Sequence, residues 1–173
     1  MHETSQDVRD LQTLMDRSHA AAGAHLREVI TADRLLPAAD VVALLDGMCL
    51  LVLATVSSRG RPVAGPVDGI FFRGHWYFGS SSDSVRFTHI RRSPYVSASH
   101  LPGEHLQVTV HGTAAPIDVA EPEHAAFRQA LLDVYTPRYG DSWERFLDSG
   151  PVYARIDAEK FFVFWMPEPT TDS

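Results

Sequence analysis

Six short strand-like segments follow one another between residues 49 and 165, with only short helical stretches among them. The clearest is "HLQVTVHGTAAPI", where Leu106, Val108 and Val110 alternate with Gln107, Thr109 and His111. That is the period of a strand with one face buried. The others read as "CLLVLATV", "PVAGPVDGIFF", "WYFGS", "YVSASHL" and "PVYARIDAEKFFVFW", and "SSRGRP", "RGH" and "PGE" are turn signals between strands. "CLLVLATV" is apolar enough to read as a buried strand. Strands in such close succession pair antiparallel, and six of them close or nearly close into a barrel. The expected fold is mainly β (α+β), a six-stranded antiparallel barrel with flanking helices.

Helical spacing of Val8, Leu11, Leu14, Met15, Leu26 and Ile30 predicts a helix over 3–30, weakened only at Gly23. Shorter helices are expected at "AADVVALLDG", over 83–92, at "EPEHAAFRQALLDVY" with Pro122 near its first turn, and at "GDSWERFLD". Residues 1–36 form an N-terminal helical extension that packs on the body or on a partner. Residues 37–168 form the barrel domain, and 169–173 a frayed tail.

Composition narrows the function classes. A net charge of -7 provides no broad attraction to nucleic acid, and no such partner is expected. Cys49, the single cysteine, sits in an apolar run and reads as a buried, inert thiol. That run is too short to span a bilayer and the chain opens without a targeting pattern, so a cytoplasmic protein with no membrane partner is expected.

One stretch carries possible chemistry. In "YFGSSSDSVRFTHIRRSP", residues 77–94, a strand runs into hydroxyls and then a helix start. Ser82 or Asp83 would cap the helix, and its free N–H groups would favour an anion. Ser80 and Ser81 add donors, and Arg86 adds a forked positive charge. The same residues also make an ordinary capped helix with a solvated arginine. Within "PVAGPVDGIFF", Gly65, Pro66 and Gly69 are unusual for a strand and point to close backbone approach or a bulge. His105 and His111 share a strand face, but no carboxylate or cysteine has metal-like spacing beside them, and no metal site is expected. The serines lack a G-x-S-x-G context. Trp143, with Phe146 and Leu147, reads as a packing cluster or dimer contact.

The passage Arg86-Phe-Thr-His89-Ile90-Arg-Arg-Ser-Pro94-Tyr-Val96-Ser97 resembles the K-x-x-N/Q-L/I-x-x-x-P-x-V-S motif of the flavin-binding split-barrel family, which includes pyridoxamine 5'-phosphate oxidases and deazaflavin-dependent reductases. "LATVSSRGRPVAGPVDGIFFRGHWYF", "LQVTVHGTA" and "RIDAEKFFVFW" resemble its opening hairpin, its v-x-V-x-G-x-A strand and its closing strand. The resemblance spans residues 45–166. It implies a split barrel that forms a homodimer, with FMN sites in the interface, and an oxidoreductase acting on a small-molecule substrate. Residue by residue, it implies that Ser80, Ser81 and Arg86 hold the phosphate. Gly65, Pro66, Val67 and Asp68 would run along the isoalloxazine, Gln107 would reach the cofactor, and Trp165 would come from the other subunit.

Two departures stand out: Arg86 replaces a lysine, and Gly65 stands where the oxidases often carry arginine. The chain also stops soon after Trp165, without the Arg/His segment that binds substrate in the true oxidases, so that activity is not expected. No catalytic acid or base can be named. The alternatives are the deazaflavin F420, with Arg59, Arg61, Arg91 and Arg92 meeting its acidic tail, and a non-catalytic protein that sequesters a flavin or haem.

Overall fold

The computed structural model of the chain describes residues 2–167. Strands β1 (Met48–Val56), β2 (Pro62–Phe72), β3 (His75–Ser80), β4 (Tyr95–Gly103), β5 (Leu106–Ile117) and β6 (Val152–Trp165) close into an antiparallel barrel in the order β1-β2-β3-β6-β5-β4. The expected architecture is the observed one. Helices α1 (Ser5–Ala20), α2 (Ala24–Val29), α3 (Ala38–Leu44), α4 (Val85–Arg92), α5 (Ala125–Tyr139) and α6 (Ser142–Asp148) flank the barrel. The tail expected at 169–173 lies outside the described residues. Among those residues no helix is long and apolar enough to cross a membrane.

Strand alternation builds two cores. Leu51, Val67, Phe71, Trp76, Phe78, Val108 and Ile156 fill the barrel. On the opposite face of β2, β3 and β6, Ile70, Phe72, Tyr77 and Tyr153 pack under Phe127, Leu131 and Tyr135 of α5. β1 corrects the reading of "CLLVLATV" as wholly buried. Cys49, Leu51, Leu53 and Thr55 face inward, but Leu50 and Val52 are 56% and 46% exposed. Nothing among the described residues covers them.

Cys49 on the inner face is buried, and burial, with Asp46 adding to it, pushes its thiol up to about 11. A thiol reagent at mildly alkaline pH should label Cys49 in denaturant and leave it untouched in the folded protein. Equal labelling rates in both states would contradict the packing of β1.

The helix expected over 3–30 is two helices. Gly23 sits extended between them as the N-cap of α2, where its low helix propensity breaks the run. A capping box starts α1: the Thr4 hydroxyl accepts from the Asp7 N–H at 3.2 Å, and the Asp7 carboxylate accepts from the Thr4 N–H at 2.7 Å. Leu11 and Met15 then enter the barrel core, and the Ser18 hydroxyl accepts a hydrogen bond from the Phe161 N–H at 2.9 Å. The N-terminal extension therefore packs on the body of its own chain. Farther on, Pro122 falls in a 3-10 turn, and α5 proper runs on through Pro137.

Candidate functional site

β2 and β3 pair only from Gly69↔Phe78 to Phe72↔His75, whereas the whole of β1 pairs with β2, from Met48↔Ile70 to Val56↔Pro62. From residue 62 to 68 the other edge of β2 is therefore open, and the barrel splits there. This explains Pro66 in mid-strand. In a strand the N–H and C=O of one residue point to the same side. The Pro66 carbonyl accepts from Arg86 Nη2 at 3.0 Å, away from β1, so the missing N–H costs no ladder bond. Gly69 has a separate cause: a Cβ there would lie 2.5 Å from Leu51 Cδ1, inside the barrel core.

The helix after β3 starts later than expected. Its N-cap is Ser84, not Ser82 or Asp83, and the Ser84 hydroxyl accepts from the Phe87 N–H at 3.4 Å. The Ser81 hydroxyl donates to Asp83 at 2.6 Å, and the Ser84 N–H donates to the Ser81 carbonyl at 3.0 Å. This turn uses up residues 81–83 before helical geometry begins. The Ser81 hydroxyl bond also holds the Asp83 carboxyl below its usual range. Ser84→Ala should cost about 1 kcal/mol of stability in urea denaturation.

At the split, a cleft of about 310 Å³ opens, with Val67, Asp68, Ser80, Ser81 and Arg86 around it. Among the described residues no carboxylate pairs with Arg86. A Cβ placed on Gly65 would meet only Arg86 Nη2, at 3.9 Å, so the space over the guanidinium is open. Sequence reasoning did not find the cleft's other wall: Tyr77, Tyr135, Trp143, Phe146 and Tyr153. Gly79 makes part of it possible. Any Cβ there would lie 2.7 Å from Tyr153 Cε1, so the tyrosine ring lies across the glycine of the neighbouring strand.

Tyr135 and Trp143 pack with ring centroids 4.3 Å apart, and the Tyr135 hydroxyl donates to Asp68 at 3.4 Å. Burial first, then the Asp68 charge, pushes the hydroxyls of Tyr135 and Tyr153 well above the ordinary phenol range. Trp143 does belong to a packing cluster. Yet its Nε1 is buried without a hydrogen-bond partner among the described residues. The only signal in the sequence was aromatic density at helical spacing, which packing alone also produces.

Two expected residues lie elsewhere. Gln107 pairs across from Phe164 and lines a separate hollow of about 210 Å³ with Leu26, Ile30 and Phe162. Trp165 pairs with Leu106 and packs partly buried against the barrel core. Neither lines the Arg86 cleft of the same chain. Two strand histidines have protein partners: the His111 Nδ1 lies 2.8 Å from the Ser97 hydroxyl, and the His100 Nδ1 lies 2.9 Å from the Leu50 carbonyl. Burial and Lys160 hold the His111 imidazole below its usual pKa. No group of three metal-ligating side chains occurs among the described residues.

A closed six-stranded barrel, split at one strand end and presenting hydroxyls and an arginine there, defines a class of small barrel proteins. The sequence model for pyridoxamine 5'-phosphate oxidase matches residues 38–160, and the chain belongs to that family. Among curated proteins, none matches the chain. Solved structures share the fold. A conserved hypothetical protein from Mycobacterium tuberculosis is 20% identical with a TM-score of 0.64, covering 83% of this chain and 96% of its own. The heme storage protein HutZ from Vibrio cholerae is 17% identical with a TM-score of 0.57, covering 76% and 94%. A FAD-binding protein from Mesorhizobium loti is 21% identical with a TM-score of 0.50, covering 81% and 90%.

Proposed function

We propose that the protein is a homodimeric flavoprotein that acts as an oxidoreductase on a small-molecule substrate, with FMN held noncovalently as its cofactor. The observation that carries this reading is the convergence of Ser80, Ser81 and Arg86 beside the open edge of β2. A phosphate fits that donor set. Two serine hydroxyls and a forked guanidinium with no carboxylate partner suit its oxygens. To serve both, Ser81 turns its hydroxyl from Asp83 toward the ligand. The backbone of Gly65, Pro66, Val67 and Asp68 lies along the ring, and Gly65 keeps the approach clear of side chain.

A bound flavin would supply the hydride or electron transfer. The chain's own part is to anchor, orient and exclude water, and no side chain is assigned a proton transfer. Gln107 and Trp165, remote from the cleft of their own chain, would complete the site of a second copy. The exposed Leu50 and Val52 on β1, with Leu101 of β4 52% exposed, give that copy an apolar surface to cover. The register Leu51↔His100 makes Leu50 and Leu101 cross-strand neighbours on that surface.

Two rival ligands fit less well. F420 would need cations for its acidic tail, and none of Arg59, Arg61, Arg91 and Arg92 lines the cleft. Arg91 and Arg92 instead bond the carbonyls of Ser82 and Ser57 at 2.9 and 2.7 Å. Haem, which one structural neighbour stores, would need an axial ligand. The cleft contains no histidine, and the raised hydroxyls of Tyr135 and Tyr153 oppose the phenolate that iron would require.

The test is the absorption spectrum of the purified protein, with mass spectrometry of what heat releases. A yellow protein releasing a flavin, or a colourless one that takes up FMN stoichiometrically, fits the proposal. Protein that remains colourless under FMN titration contradicts it.

A further inference from the structure

We infer a second binding site, at the opposite end of α5 from the cleft, whose ligand is a zwitterionic α-amino acid with an apolar side chain. It is independent of the flavin reading. A hollow of about 400 Å³ lies there, between the first turn of α1, the β2–β3 turn, the start of α5 and β6. Its charged lining is Arg73, Arg155, Asp7 and Glu123, with His75 and His124 beside them. Two of these charges are already matched. Arg155 Nε bonds Asp157 Oδ1 at 2.6 Å, and Glu123 Oε1 lies 3.4 Å from His124 Nε2. Arg73 and Asp7 remain, one charge of each sign. Among the described residues no side chain forms an ion pair with either.

Arg73 stands where local preference would not put it. It and Gly74 are the two residues between the paired Phe72 and His75, with φ of 50° and 79°. Such a turn favours Asn-Gly, and Arg73 is the only non-glycine residue with positive φ among the described residues. Its N–H donates to Glu3 Oε1 at 3.2 Å, a bond that any side chain would permit. Its guanidinium lies over the Phe72 ring at 5.2 Å, which holds the fork at the edge of the hollow. Tyr77 borders the same space; burial raises its hydroxyl pKa, and the charges of Arg155 and Arg73 oppose that rise. A carboxylate there would meet a forked donor beside a phenol.

Asp7 supplies the opposite charge. It takes both bonds from Thr4, N–H and hydroxyl, on Oδ2 at 2.7 and 2.8 Å, which leaves Oδ1 for an ammonium. A Cβ on Gly74 would lie 3.6 Å from the Asp7 carbonyl oxygen, so the first turn of α1 stands against the turn that carries Arg73. Phe72 and Phe127, with ring centroids 5.5 Å apart, give the hollow an apolar floor. One cation, one anion and an apolar floor match the carboxylate, ammonium and side chain of an amino acid.

Calorimetric titration of the whole chain compares L-phenylalanine with phenylpropionate, which lacks the ammonium, and phenethylamine, which lacks the carboxylate. L-Phenylalanine should bind roughly 10- to 100-fold more tightly than either. Arg73→Asn suits the turn and keeps the fold; it lowers L-phenylalanine affinity to that of phenethylamine and leaves the amine unchanged. Asp7→Asn lowers it to that of phenylpropionate, with melting curves confirming that the variant folds. No saturable binding of L-phenylalanine overturns the site, as does binding that survives Arg73→Asn. Phenylpropionate bound as tightly as L-phenylalanine overturns the zwitterion. Arg73→Asn leaves FMN affinity unchanged, so a failure of the flavin reading shows only in the FMN titration.

Discussion

Replacing Arg86 with alanine should raise the dissociation constant for FMN by roughly 10- to 100-fold, a loss of ~1.5–3 kcal/mol for a charge-assisted contact. Arg86 is half-buried at the barrel split, and one of its nitrogens bonds the neutral Pro66 carbonyl at 3.0 Å. The rest of the fork is available to an anion. Fluorescence titration of FMN reads the effect directly. Arg86→Lys should recover only part of it, because an ammonium cannot bond the Pro66 carbonyl and a phosphate in the same planar geometry. A folded alanine variant with wild-type affinity would move the phosphate elsewhere. The barrel itself should remain intact, since Arg86 contributes nothing to either core.

The largest stability loss should come from Gly112→Ala. A Cβ at that position would stand 2.1 Å from the Asp157 carbonyl oxygen and 3.0 Å from Ala158 Cα, both backbone atoms that cannot swing aside. The β5–β6 register shifts between His111 and Gly112, so this glycine sits where the two longest strands adjust to each other. Forcing them apart should cost about 3 kcal/mol or more, visible as a lower urea midpoint at similar slope. Gly23→Ala is the internal control. Nothing lies within 4 Å of its Cβ position, and its φ of -64° suits any residue, so its midpoint should stay close to that of wild type. Wild-type stability in Gly112→Ala would mean that β5 and β6 do not meet at this bulge.

Gly112 is also the glycine of the "LQVTVHGTA" passage, and it shows how motif and packing relate. The letters were legible in the chain, but the reason for them was not. The obstructing carbonyl belongs to Asp157, far along the sequence and adjacent only in the closed barrel. Ser84 shows the opposite limit. A cluster of hydroxyls announced a helix start, yet which one caps it depended on the turn that Ser81 and Asp83 make with each other. The apolar run at β1 could not say whether it was covered on one face or two, because coverage depends on what packs outside the barrel.

The sequence by itself determined the six strands, their antiparallel closure, the anomaly of Gly65 and Pro66 inside the second of them and the meeting of hydroxyls with Arg86 at one strand end. These follow from local period, turn chemistry and residues close together in the chain. Only the tertiary structure decided that Arg86 bonds the β2 backbone and that Tyr135, Trp143 and Tyr153 wall the same cleft. It also decided that Gln107 and Trp165 lie away from that cleft. The physical reason is separation: these groups come from strands and helices that meet through barrel closure, and periodicity along a chain carries no information about which distant faces share a wall.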